Sequence, residues 1–323
     1  MSRTLRIGTR RSALALAQAE AVAALLRPLW RSGPVELVHV VTTGDRLQEQ
    51  NPAVAGGRGI FVKELEAALL TGGTDLCVHS AKDVPPELPD GLGLVATPGR
   101  ADPRDALCGV TPLMALRAGA TVATGSPRRS LQLLRARPDL RVIPLRGNVD
   151  TRLERLAAGH FAAAVLAVCG LERLGRASAI AEALSPEVMV PAAGQGALAI
   201  EARLDDPQVL RVLRQLDEPA AAFAVCSERA VLAGLGGGCA APAGAYARRQ
   251  PDGRYRLVAV VCGPISGGLT RAVLEQGVAA AALADRDALV ETATQFGAAV
   301  VQRLLAEGAG GLLAESPAGE GVR

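Results

Sequence analysis

Short apolar runs alternate along the chain with segments whose apolar residues recur at helical spacing. Strand-length runs fall at Leu5–Gly8, Val35–Val41, Asp75–His79, Leu92–Ala96, Thr121–Thr124, Arg141–Pro144 and Ala162–Val168. Helical patterns cover Ser12–Leu26, Ile60–Leu70, Pro127–Ala136 and Val149–Ala158. Runs that are apolar throughout belong to strands buried on both faces, so the pattern predicts an α/β fold with parallel strands. Thr97–Arg104 (TPGRADPR) and Leu204–Glu218, the latter holding a short helical segment between DDP and DEP, interrupt the periodicity and read as linkers. Beyond them come a helix (Ala220–Leu232), a glycine-rich loop, a strand pair around Tyr255–Cys262 and a long helix near Asp285–Ala306, an α+β pattern; the tail from Ser316 reads as frayed.

Composition narrows the function classes. The chain has 323 residues, enough for two or three domains, and 49% hydrophobic against 21% charged content excludes a disordered chain. Aromatics make up only 2%, which argues against a stacking platform for single-stranded nucleic acid. The segment TRRSALALAQA resembles a twin-arginine export signal, but Gln18 and Glu20 break its apolar stretch, and a strand followed by an amphipathic helix is the better reading. No uncharged apolar run approaches the ~18 residues of a membrane span. The six cysteines, at 77, 108, 169, 226, 239 and 262, form no C-x-x-C and have no histidine at metal-ligand spacing, so no metal and a reducing, cytoplasmic setting are expected. His39 in a strand pattern and His160 at a helix end read as structural.

Charge is unevenly placed. Of 35 basic residues, all but Lys63 and Lys82 are arginine, a bias that codon usage would produce. Residues 100–175 nevertheless hold 12 arginines against six acids, +6 in a chain of net +3, which suggests an anionic ligand. Ser126 and Pro127 fit the N-cap and first position of a helix, placing Arg128 and Arg129 in its first turn. Cations there oppose the helix dipole unless an anion is held at that end. Arg146 and Arg152 bracket a second start, capped by Asn148 or Asp150; Arg10 with Ser12 marks a third, and Gly56–Gly59 with Arg58 leads into a fourth. Carboxylates and phosphates both suit such guanidinium forks.

Two segments are candidates for chemistry. Polar residues at a strand end face the ligand crevice in α/β folds, and His79-Ser80-Ala81-Lys82-Asp83 follows such a strand. Asp83 beside Lys82 suits a stabiliser of positive charge or a proton shuttle, or equally an ordinary surface pair before Pro85-Pro86. Cys239, behind three glycines, suits an accessible nucleophile or attachment point, or a small residue in a tight turn. Cys77 and Cys169 sit in apolar strand patterns, and Cys108, Cys226 and Cys262 among apolar neighbours, as inert core residues do.

The motifs LRIGTRRSALALAQ, TTGD, GGRGIFVKELEAALL, DLCVHSAKDVP, GLGLVA, DPRDAL, TGSPRRSLQL, RPDL, LRGNVDTRLERL, LAVCGLERLG, PAAGQGALAIE and GGGCAAPAGAYA run in order from residue 5 to 247. In order and spacing they resemble the hydroxymethylbilane synthase (porphobilinogen deaminase) family over about three-quarters of the chain. The resemblance implies a transferase of tetrapyrrole biosynthesis that condenses four porphobilinogen molecules head to tail with loss of ammonia. It also implies a dipyrromethane cofactor bound through a cysteine thioether, here Cys239, and Asp83 as the catalytic acid. Ser80, Lys82, Thr124, Ser126, Arg128 and Arg129 would hold the cofactor, and Arg10, Ser12, Phe61, Arg146, Arg152, Arg173 and Gln195 the substrate. The implied fold is α/β: two lobes like those of periplasmic binding proteins, at 1–98 with 196–216 and at 103–193, plus a small α+β domain at 219–315. A cytoplasmic monomer is expected, with no nucleic-acid or membrane partner.

The sequence departs from the family pattern at Val54 and Arg58, where lysines are common, at Gly125, which should loosen the start of the following helix, and at AAPAG after Cys239. The rival reading is a non-enzymatic two-lobed binding protein for a small dicarboxylate, which would need neither Asp83 nor a modified Cys239.

Overall fold

The apolar runs assemble into two five-stranded sheets of the same design. In the first, β1 (Leu5–Thr9), β2 (Val35–His39), β3 (Leu76–Ser80), β4 (Leu92–Ala96) and β10 (Leu198–Arg203) lie in the order β2-β1-β3-β10-β4. In the second, β5 (Asp105–Cys108), β6 (Thr121–Ala123), β7 (Arg141–Ile143), β8 (Ala163–Ala167) and β9 (Ile180–Ala183) lie in the order β7-β6-β8-β5-β9. The expected parallel arrangement holds for β1 with β2 and β3, and for β6 with β7 and β8. Each sheet also has one strand running against both neighbours, β10 in the first and β5 in the second. The structure is a computed structural model and describes residues 2–45, 61–236, 242–264 and 268–314.

The chain divides into two compact units, residues 1–101 with 197–222 and residues 102–196 with 223–323. Each antiparallel strand therefore follows a crossing of the chain from one unit to the other.

In the first unit α1 (Ala13–Leu26) begins at Ser12, whose side chain accepts from the Ala15 amide, and buries Ala19, Val22, Ala23 and Leu26 on Leu5, Ile7, Leu76, Val78 and Ile200 of the sheet. On the opposite face α2 (Lys63–Leu70) sets Leu65 and Leu69 against Cys77 and Leu92. Fully burying such a leucine is worth about 2 kcal/mol, so each helix is held by its apolar stripe more than by its length.

The second unit carries α3 (Pro127–Ala136), α4 (Val149–Ala157) and α5 (Val168–Arg173), with Leu133 packed on Leu107, Val122 and Val165. Cys169 lies in α5 and not in a strand, because the apolar run continues past the end of β8 into that helix. An antiparallel meander, β11 (Ala243–Arg249), β12 (Tyr255–Cys262) and β13 (Leu269–Gln276), completes the unit. One core of this region holds the rings of Phe223, Tyr255 and Phe296; another packs Val258, Val260 and Cys262 on Leu131 and Val190 of the same unit. Among the described residues no helix is long and apolar enough to cross a membrane.

Candidate functional site

Parallel strands end on one edge of their sheet, and the turns beyond those ends carry almost all of the expected site residues. In the first unit Arg10 and Ser12 follow β1, and Ser80, Lys82 and Asp83 follow its neighbour β3. Ser80 ends the strand and accepts a 2.8 Å hydrogen bond from Gln18 of α1. A single 3-10 turn, Ala81–Asp83, then leaves Lys82 half-buried and Asp83 exposed, the latter with no hydrogen bond or ion pair to any described residue.

Arg10 is engaged within its own unit. Its guanidinium contacts Asp45 at 2.5 Å and lies 3.8 Å above the ring centroid of Phe61. Burial tends to raise the Asp45 acid, but bonds from Arg10 and Thr42 prevail and hold it below the usual carboxylate range. Ser12 is occupied as the cap of α1.

In the second unit Thr124, Ser126, Arg128 and Arg129 follow β6, Arg146 and Arg152 follow β7, and Arg173 lies at the end of the helix that follows β8. Asp105, the first residue of β5, pairs in register with Ala167, the last of β8, and so sits at this same edge. It is fully buried and gathers three side chains. Arg128 donates through Nη1 at 2.7 Å, Arg129 through Nε at 2.9 Å, and Gln195 through Nε2 at 2.9 Å. Burial opposes its ionisation, yet the charges of Arg128 and Arg129 and the hydrogen bonds from Arg128 and Gln195 hold it far below the carboxylate range. The anion expected at the start of α3 is thus a carboxylate of the chain itself. Arg128 and Arg129 spend further donors on the carbonyls of Val190 and Val165.

Gln195 belongs to this hub and not to an exposed lining: it is fully buried and also donates to the Pro103 carbonyl at 2.7 Å. Ser126 occupies the N-cap position of α3, but its side chain makes no capping bond, and the Ser126 amide instead donates to the buried Thr124 hydroxyl. At Gly125 a Cβ would come within 2.5 Å of the Leu145 carbonyl oxygen, so the glycine permits a close backbone approach. At the next start Asn148, not Asp150, is the cap, accepting from the Thr151 amide at 2.9 Å.

Arg152 and Arg173 are held differently. Arg152 is half-buried and donates to the Gly147 carbonyl at 2.8 Å; Arg173, also half-buried, donates to that of Gly196 at 2.8 Å. Neither forms an ion pair with any described residue. Burial, and then repulsion from Arg129 and Arg146, lower the pKa of Arg152 to about 10. Like charges gathered at one sheet edge in this way favour a nearby anion. Cys239, Val54 and Arg58 lie outside the described residues. Cys77, Cys108, Cys169 and Cys262 are buried and Cys226 half-buried; burial pushes the Cys108 and Cys262 thiols up to about 11 and that of Cys77 higher still, as suits core residues.

Residues 5–211 match the family model for the porphobilinogen deaminase dipyrromethane cofactor binding domain, and residues 222–276 that for the porphobilinogen deaminase C-terminal domain. The chain belongs to the porphobilinogen deaminase family. A porphobilinogen deaminase of Brevibacillus brevis is 42% identical over 96% of each chain. One from Roseiflexus castenholzii is 43% identical over 97% of this chain and all of its own, and one from Roseiflexus sp. is 49% identical over 78% of this chain and 84% of its own. Among solved structures, the BvgS periplasmic VFT2 domain of Bordetella pertussis aligns with 66% of this chain and 86% of its own at 19% identity and a TM-score of 0.40.

In this member of the porphobilinogen deaminase family, sequence reasoning missed Asp105 and Asp45. Both had a visible signal. Asp105 is an acid opening an apolar run inside a strongly basic segment, and Asp45 closes TTGD, four residues that the family resemblance already singled out.

Proposed function

We propose that the chain is a hydroxymethylbilane synthase that joins four porphobilinogen molecules head to tail, releasing ammonia at each step, and frees the linear product by hydrolysis. The observation that carries the reading is the placing of Arg152 and Arg173 beyond the ends of the second sheet's parallel strands, each half-buried on a main-chain carbonyl and without an ion pair among the described residues, as anchors for a dicarboxylate pyrrole. Arg10, Ser12, Phe61, Arg146, Arg152, Arg173 and Gln195 serve the substrate: the arginines bind its acetate and propionate, while Gln195 acts through the Asp105 hub. Arg10 does so by exchanging the Asp45 carboxylate for one of the substrate's. Asp83, exposed and free of partners among the described residues, stabilises the positive charge left on a pyrrole when ammonia departs and takes up the proton released on coupling.

A second set of residues serves the family's dipyrromethane, itself a polycarboxylate. Ser80, Lys82, Thr124, Ser126, Arg128 and Arg129 would hold it, and Cys239 would carry it as a thioether. When bound, it supplies the free pyrrole carbon to which the first substrate is joined. The domain division 1–98 with 196–216, 103–193 and 219–315 goes with this reading, as do a monomeric state and a cytoplasmic setting. The test is direct. Purified protein should exceed its sequence mass by one dipyrromethane and release ammonia from porphobilinogen. An unmodified mass together with no consumption of porphobilinogen would leave a dicarboxylate-binding protein instead.

A further inference from the structure

Behind β3, on the face of the first sheet covered by α2, a polar cluster sits in an otherwise apolar layer. His79 Nε2 and Glu201 Oε2 are 2.9 Å apart, the histidine 5% exposed and the glutamate fully buried. Glu66 of α2 is buried in the same layer, and Oε1 of both glutamates has no hydrogen-bond partner among the described residues. Burial, and then the Glu201 carboxylate, raise the Glu66 acid above its ordinary range against the opposing charges of His79 and Lys63. β3 also contributes Cys77, which would collide with any side chain at Gly8 of β1; Leu65, Leu69, Leu92 and Val40 supply the apolar remainder.

A buried ionisable pair is poor value for stability, since an apolar pair of similar volume does as well or better. Its place in the fold points to another use. His79 immediately precedes Ser80, whose hydroxyl is held from the other face of the sheet by Gln18, and the next amide, Ala81, donates to Ala197 at 3.0 Å. The end of β3 is therefore tied on both faces and along its edge, one residue before the turn that bears Lys82 and Asp83.

We propose that Glu201 is a positioning residue that acts through His79 to fix the Ser80–Asp83 turn. The proposal rests on the role assigned above to Asp83. If Glu201 acts only through His79, breaking either end has the same effect, and breaking both adds nothing.

Steady-state turnover of porphobilinogen by the full-length holoenzyme tests this with Glu201→Gln, His79→Gln and the double variant. Each single change should lower kcat by about ten- to a hundredfold, as small misplacements do, with KM held within about twofold. The double variant should be no slower than the singles. In both single variants the backbone amide resonances of Ser80, Lys82 and Asp83 should move in the same direction. If Glu201→Gln does not fold, Glu201→Asp, which keeps the charge but shortens its reach, should show a smaller loss of the same kind. Losses that multiply, a change confined to KM, an unchanged kcat, or turn resonances that stay in place would overturn the positioning role while leaving the proposed activity intact. A wild type that does not consume porphobilinogen would overturn both.

Discussion

Replacing Asp105 by asparagine removes one negative charge and keeps the shape of the side chain, leaving two buried guanidiniums facing an amide. Arg128 and Arg129 are both nine-tenths or more buried, and their contacts to Asp105 are 2.7 Å each. Breaking a buried pair from one side costs about 3–5 kcal/mol, because the surviving charge stays desolvated. Asparagine retains one acceptor oxygen, so the lower end applies, about 3 kcal/mol. For a unit of this size, each kcal/mol is worth roughly 2–4 °C, which places the loss in melting temperature on the order of 10 °C at pH 7.

The pH dependence gives the prediction its sign. Asp105 is ionised in the folded protein far below the point at which it protonates when unfolded, so its contribution is fully present above the unfolded pKa of about 4 and is lost as pH falls below it. Wild type should lose stability through that window, while Asp105→Asn should lack this component, and the gap between them should narrow from about pH 5 downward. Thermal melts of both proteins across that range are the assay. The hub also orients two of the proposed cofactor ligands, so intact mass should show a larger unmodified fraction in the variant. A melting temperature within about 2 °C of wild type at pH 7, with an unchanged acid response, would refute the reasoning.

Asp83→Ala should keep the wild-type melting temperature, because the carboxylate is exposed and bonded to no described residue, and should abolish nearly all release of ammonia from porphobilinogen; normal turnover would show that another group is the acid. Arg152→Gln should move stability and binding in opposite directions. Relief of its burial and of its repulsion with Arg129 and Arg146 should leave melting unchanged or higher, while KM for porphobilinogen rises roughly ten- to a hundredfold. Coincident losses of both would indicate a purely structural side chain. Glu66→Gln tests the buried cluster: because the folded acid holds its proton to higher pH than the unfolded one, wild-type stability falls as pH rises above about 4.3 toward the raised value. The variant lacks that decline, so its advantage in melting temperature should grow with pH through this window, and a constant difference would count against the cluster.

Elements with a clear apolar run or a clear helical spacing were legible from the sequence. Leu92–Ala96 and Pro127–Ala136 appear in the structure with the bounds that their patterns give. Among the strands that were not legible, β5 and β10 each carry a buried charge. β5 has four residues and begins with Asp105; β10 is interrupted at Glu201, and each acid looks like a break in the pattern until its partner is known. Those partners, Arg128 and Arg129 for one and His79 for the other, are 23 to 122 residues distant, so no local window contains the explanation. The same limit divides the site. Cations in the first turn of α3 pointed to an anion nearby, as far as local electrostatics reaches, but not to Asp105 as one.

The basic segment thus contains two kinds of arginine, and the difference bears on how it would handle a lengthening polycarboxylate. Arg128 and Arg129 are tied to a fixed carboxylate, share its single negative charge, and keep a net charge of one between them. Arg152 and Arg173 rest on main-chain carbonyls, which accept hydrogen bonds but cancel no charge. At an effective dielectric constant near 20, two unit charges 4 Å apart interact by about 4 kcal/mol, so an incoming carboxylate gains most at guanidiniums whose charge is not already matched. Exchange of a carbonyl for a carboxylate is also local and reversible, whereas displacing Asp105 would strand a buried anion. On the proposed reading the Asp105 pair therefore sets a permanent framework, and Arg152 with Arg173 supplies contacts that each successive substrate can make and give up.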